Sequence, residues 1–163
     1  MSLLELCQQL EASRVGELVT LSQWGFPILV TLHLLGLGFS VGLIMWMDLR
    51  LLGLVLRDYP LTELYRRLAP WLLTGFAVMF VSGGFLFVGY AATAYGNIFF
   101  RIKLMALVLA GLNAVAYHAI TERRVAASRT GTPPSAAWAA GLISLTVWAV
   151  VILAGRMMSY TMF

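Results

Sequence analysis

Apolar residues run almost unbroken through four stretches of the chain, residues 24–47, 69–90, 98–120 and 136–154, and polar residues gather in the short connections between them. Each stretch approaches or exceeds the ~20 residues that a helix rising ~1.5 Å per residue needs to cross a ~30 Å hydrocarbon layer. Inside a bilayer every backbone N–H and C=O must be satisfied without water, so the pattern predicts an all-α integral membrane four-helix bundle forming a single membrane domain. Ahead of the first stretch, Ser2 and Glu5 have the spacing of a capping box, and Leu3, Leu6, Cys7 and Leu10 share one face. This predicts a short N-terminal helix lying at the membrane interface. The run Asp48-Leu49-Arg50-Leu51-Leu52-Gly53 ends the first span, Arg57-Asp58-Tyr59-Pro60 reads as a turn, and residues 61–68 predict a brief amphipathic stretch along the headgroups. Consecutive prolines, Pro133 and Pro134, mark residues 128–135 as a linker, because proline cannot continue the third helix.

Composition supports the bilayer as solvent. Hydrophobic residues make up 61% of the chain and charged ones 11%, against roughly 45–50% and 25% in soluble domains. The net charge of +4 comes from basic residues scattered over loops and helix ends, without the basic stripe interleaved with aromatics that a nucleic-acid partner requires. These residues serve instead as topology signals. Arg50, Arg57, Arg66, Arg67, Arg123, Arg124 and Arg129 fall on one side, and Arg14, Arg101, Lys103 and Arg156 on the other. The side richer in basic residues is cytoplasmic by the positive-inside rule, which predicts both termini on the non-cytoplasmic side. A single cysteine, Cys7, excludes an internal disulfide, CxxC redox chemistry, a cysteine-rich zinc site and covalent haem attachment through CxxCH.

Small residues predict how the helices meet. Gly36, Gly38, Ser40 and Gly42 form overlapping small-xxx-small pairs in the first span, and Gly75, Ser82 and Gly89 recur every seven residues in the second. Close packing explains them, and so does a groove that accepts a flat cofactor or a quinone. Trp24, Trp71, Trp138 and Tyr90 fall near the predicted interfaces, as in an aromatic belt.

Polar residues within the spans carry the candidate chemistry. His33 lies about nine residues, or ~13 Å, inside the first span. A buried imidazole has a ring N–H and a lone pair to satisfy, either by packing hydrogen bonds or by a ligand. His118 is the only other histidine, and the pair invites a b-type haem with two axial imidazoles. Such ligands must face one iron at nearly the same depth. The first and third spans run in the same direction, however, and the two histidines differ by about eleven residues, or ~16 Å, in depth. That separation argues against one haem bridging them within a protomer; a dimer supplying His33 twice would restore matched depth. Lys103 is a closer neighbour, at ~6 Å from the predicted depth of His33, with Arg101 beside it and Arg156 at the same end of the fourth span. This cluster suits a quinone headgroup, haem propionates or a partner's carboxylate, and it equally allows lysine and arginine to snorkel to the headgroups. Asn113 predicts an interhelical hydrogen bond. Met45, Met47, Met157, Met158 and Met162 invite copper, but they divide between the two ends.

In His33-Leu34-Leu35-Gly36, in Asp48-Leu49-Arg50-Leu51-Leu52-Gly53, and in Phe100 with Lys103, the chain resembles a family of small bacterial inner-membrane proteins of unknown function. The resemblance covers most of the chain and implies the four-span fold and a bacterial inner-membrane location, with no activity attached. The layout is also similar to that of small b-type membrane cytochromes, which pair histidines at matching depths; this chain departs from that pattern. Two readings follow. In the first, the protein is a small membrane subunit of an electron-transfer system that binds a quinone or haem b near the outer leaflet. His33 is then an axial metal ligand or a quinone hydrogen-bond partner, Lys103 and Arg101 neutralise negative charge, and His118 is a further cofactor contact. In the second, it is a cofactor-free structural or assembly subunit. Both give it the lipid bilayer and other membrane subunits, or copies of itself, as partners. A transporter is less supported, since no acidic residue lies deep in a span and no inverted repeat is visible.

Overall fold

The computed structural model describes residues 2–56, 58–121 and 135–162. Seven α-helices occur among them: α1 (Leu3–Glu11), α2 (Arg14–Leu21), α3 (Gly25–Leu51), α4 (Leu61–Gly89), α5 (Ala91–Gly96), α6 (Ile98–Ala116) and α7 (Ser135–Met162). A short π-helical turn, Tyr117–Thr121, continues α6. Of the linker expected at residues 128–135, only Ser135 is described, as the first residue of α7; residues 128–134, with Arg57, Glu122, Arg123 and Arg124, lie outside the described residues.

Helices α3, α4, α6 and α7 are each long and apolar enough to cross a membrane. Their outer faces expose large apolar side chains, among them Leu35, Phe80, Met105, Val115 and Leu153. In water this surface would aggregate; in lipid it is the ordinary exterior of a bundle. The protein is a multi-pass membrane protein, and its helices contact the lipid bilayer. Trp24 and Trp138 are exposed towards the helix ends, as expected of a belt; Trp71, also exposed, lies further along α4 and packs edge-on against Phe39 of α3 at 6.3 Å. Tyr90 differs, because its ring packs edge-on against Phe26 at 5.4 Å and turns inward.

Helix boundaries follow local chemistry. At the end of α3, Gly53 takes φ 71°, its N–H donates to the Arg50 carbonyl (3.0 Å) and that of Leu54 to the Leu49 carbonyl (2.9 Å). This is the Schellman arrangement that satisfies the last carbonyls of a helix and favours glycine. The Asn97 side chain caps α6 by accepting from the N–H groups of Phe99 and Phe100. Residues 61–68 are the first turns of α4 and do not form a separate piece; the helix runs on through Pro70. The expected capping box is present, with Ser2 N–H donating to Glu5 Oε2 (2.8 Å) and Glu5 N–H to Ser2 Oγ (3.2 Å). A second short helix, α2, follows it, capped by Ser13, and α1 and α2 fold over the same end of the bundle, against α5 and α4. We call this the capped end.

The tightest seam lies between α3 and α4. A Cβ on Gly36 would sit 2.9 Å from both the Gly75 carbonyl oxygen and the Met79 nitrogen, and one on Gly75 would sit 3.0 Å from the Ser40 nitrogen. Both glycines therefore allow backbone to approach backbone, as small residues do between membrane helices. Helix α6 packs on α7, and α7 on α3. Direct packing between α4 and α6 is sparse among the described residues; the Phe87 and Phe100 rings, stacked at 5.4 Å and 7°, bridge that gap. An apolar core including Val41, Ala110, Trp148 and Val151 fills the middle.

Candidate functional site

Two cavities open inside the bundle, one in each half. The capped-end cavity, about 320 Å³, is lined by His33 from α3, Phe87 from α4, Tyr90 just beyond it, Phe100 and Lys103 from α6, and Arg156 from α7. Among the described residues no aspartate or glutamate lines it. Its size is at the lower end of the ~300–1,000 Å³ typical of small-molecule sites.

His33 is held by a hydrogen bond across the α3–α4 seam. Its Nδ1 lies 2.8 Å from the Met79 carbonyl oxygen. A carbonyl oxygen only accepts, so Nδ1 carries the proton, and the neutral ring then has its lone pair on Nε2. Ser82 Oγ lies 3.4 Å from Nδ1 while donating to the Val78 carbonyl at 2.6 Å, which helps fix the ring edge. Gly83 provides space: a Cβ there would meet the ring carbon Cε1 at 2.8 Å. The imidazole is thus oriented by its second nitrogen, as metal-binding and catalytic histidines are.

Lys103 is half-buried on the opposite wall, its stem beside Gly155. Among the described residues its ammonium makes no hydrogen bond and no ion pair. Arg156 lies at the cavity edge with its guanidinium engaged by Tyr160, donating to the hydroxyl at 2.9 Å and stacking over the ring at 4.6 Å. Burial, followed by the nearby Glu11 carboxylate, pushes the Tyr90 phenol above its ordinary range, so it presents a neutral hydroxyl.

The structure therefore brings His33, Lys103 and Arg156 to one cavity, as the depth arithmetic predicts. Arg101 does not join them. It is exposed, donates to the Tyr95 carbonyl at 3.2 and 3.3 Å and lies over the Tyr95 ring. Two residues on a helix differ by ~200° in direction, so Arg101 and Lys103 face opposite ways. His118 is also elsewhere. It lines the second cavity, in the half away from the capped end, and its Nε2 lies 3.4 Å from the Tyr65 hydroxyl.

That second cavity, about 370 Å³, is lined by Asp48, Tyr65, Asn113, His118 and Ser144 among apolar walls. Asn113 makes the expected interhelical bond, from Nδ2 to the Ala140 carbonyl at 3.0 Å. Asp48, expected where the first span ends, is 5% exposed, and Gly141 lets α7 close over its backbone. The signal missed was the apolar run beyond it: Leu49, Leu51 and Leu52 carry the packed helix past the acid.

These features define a class: a multi-pass membrane bundle of four long helices with cavities between them. The chain belongs to the family of unknown function DUF6644, whose model matches residues 23–161 and so covers all four long helices. No curated protein and no solved structure matches the chain.

Proposed function

We propose that the capped-end cavity binds the headgroup of a quinone and that the protein is a small subunit of an electron-transfer system in a bacterial inner membrane. The loop-charge bias puts this cavity in the outer leaflet, with both termini on that side. One observation carries the reading: an unpaired lysine and an imidazole with its lone pair on Nε2 line the same acid-free, largely apolar cavity. An ionisable group held within a membrane without a partner is expensive, and a ligand is the usual reason for it. Lys103 donates to a ring carbonyl and stabilises negative charge developing there. In the reduced quinol, His33 Nε2 accepts the hydrogen bond of one ring hydroxyl and takes its proton as one electron leaves to a redox partner subunit. The stacked Phe87 and Phe100 rings supply a flat wall.

The test uses purified protein in maltoside detergent and a short-chain ubiquinone analogue. His33→Asn retains a donor for the Met79 carbonyl and removes the Nε2 acceptor; it is expected to weaken binding about tenfold. Lys103→Met keeps the stem and removes the charge, for a loss of about ten- to a hundredfold. Equal affinity in both variants and the wild type sinks the proposal and leaves a cofactor-free structural or assembly subunit.

Haem b is a second reading, favoured by the backbone bond at Nδ1 that leaves Nε2 as the ligating nitrogen. His118 lines the other cavity, so a second axial imidazole would have to come from His33 of another copy. A reduced-minus-oxidised spectrum with a b-type band, lost in His33→Asn, separates haem from quinone.

A further inference from the structure

The two cavities are opposite in chemical sign. Among the described residues, the capped-end cavity is lined by basic side chains and no acid, and the other by Asp48 with neither lysine nor arginine. Asp48 is 5% exposed, and its Oδ2 is fully enclosed with no hydrogen-bond partner. The Ser144 hydroxyl is the polar group acting on the carboxyl from α7. Arg50, two residues on, is directed elsewhere and donates through Nε and Nη2 to the Tyr59 carbonyl at 3.2 and 3.0 Å. A buried carboxylate oxygen without a partner is costly, and its place one turn from the C-terminus of α3 adds the unfavourable end of the helix dipole. Both penalties are relieved by a positive charge in the cavity.

The walls indicate which kind. Rings of Tyr65, Phe76, Phe80, Tyr117 and Trp148 surround the space. Aromatic faces attract cations, most strongly where water is excluded, and combine with a carboxylate to recognise substituted ammonium groups. Among the described residues a bare metal ion finds one carboxylate and one imidazole here, well short of the oxygen shell that a hard divalent cation requires. A lipid acyl chain fills the volume but does nothing for the charge of the Asp48 carboxylate. We infer that this cavity is a second binding site, for a lipophilic organic cation: a substituted ammonium whose apolar body rests on the aromatic walls while its charge faces Asp48. The inference is independent of the quinone reading.

Full-length protein in maltoside detergent is titrated by calorimetry with benzyltrimethylammonium and with neopentylbenzene, its neutral isostere in which carbon replaces nitrogen. The expected result is saturable binding of the cation, about tenfold or more tighter than the isostere, and a loss of about tenfold or more in Asp48→Asn. Equal affinity for cation and isostere, no saturable binding of the cation at millimolar concentration, or unchanged cation affinity in a folded Asp48→Asn variant overturns the inference. Should Asp48→Asn fail to fold, the cation-to-isostere ratio in the wild type decides alone.

Discussion

Gly36 and Gly38 are two residues apart on α3, yet a methyl group added at each should have opposite effects. At Gly38 a new Cβ meets nothing within 4 Å, whereas at Gly36 it would lie 2.9 Å from two backbone atoms of α4. Ordinary contact begins near 3.4 Å, so α3 and α4 must separate by 3.4 − 2.9, or about 0.5 Å. Neither the Gly75 carbonyl nor the Met79 nitrogen can move alone, because each belongs to the α4 backbone. Overpacking of this kind costs about 1–3 kcal/mol. The same displacement acts on His33, one turn earlier, whose bond to the Met79 carbonyl is 2.8 Å. Lengthened by the full separation, it would exceed the ~3.2 Å limit of a good N–H···O bond and forfeit part of its ~0.5–1.5 kcal/mol. Less the ~0.5–1 kcal/mol that alanine gains over glycine in a helix, Gly36→Ala is therefore expected to destabilise the bundle by about 1–3 kcal/mol. Gly38→Ala should be neutral or stabilising by up to about 1 kcal/mol, since alanine is the better helix former. Unfolding in mixed micelles of rising dodecyl sulfate fraction, followed by circular dichroism, measures both. Equal effects, or a harmless Gly36→Ala, would refute the α3–α4 seam as described.

Arg101→Ala should leave binding of the quinone analogue unchanged, because the guanidinium faces Tyr95 and not the cavity; a loss comparable to that of Lys103→Met would restore Arg101 to the site. Asn97→Ala removes the cap of α6 and the 2.8 Å bond from Asn97 Nδ2 to Thr161 Oγ1 of α7, and is expected to destabilise by about 1–2 kcal/mol in the same micelle assay. Asn97→Asp keeps the cap acceptor and should recover roughly half of that loss. Failure of the aspartate to recover any stability would show that the capping bonds are not what holds this turn.

Four spans are legible in the sequence because hydrocarbon admits few alternatives, and each long helix includes most or all of the stretch its apolar run predicts. The convergence of His33 and Lys103 is legible for a similar reason: along straight helices of known rise, residue number converts to depth. Angular position is harder to read. Arg101 shares the depth of Lys103 but not its direction, and a turn count along α6 separates them. His118 is fifteen residues beyond Lys103, or ~22 Å along the helix, so its assignment to a different cavity could also be read from spacing. Asp48 could not be found that way. Whether an acid near a helix end is solvated or enclosed depends on what closes over it, and here that is Gly141 and Ser144 of α7, some ninety residues away in sequence. The second N-terminal helix is marked in the sequence only by its cap, Ser13, whose side chain accepts from the Gly16 N–H at 3.2 Å.

The glycines show how one bundle can be tight and hollow at once. Gly36 and Gly75 bring the α3 and α4 backbones together, which sets the reach of His33 to the Met79 carbonyl. Gly83, two turns after Gly75 on α4, does the opposite and leaves room for the imidazole itself. Gly155 leaves similar space beside the Lys103 stem on α7. Because α3 is drawn towards both α4 and α7, while α4 and α6 stay apart, the unfilled volume falls between those two helices instead of being spread thinly through the core. The apolar plug around Val41, Ala110 and Trp148 then divides that volume into two chambers. Among the described residues each chamber is lined by charge of one sign, and the plug keeps those charges from neutralising each other. A bundle built only for stability would gain by pairing or removing them; keeping Lys103 and Asp48 apart makes sense if each has a ligand of its own.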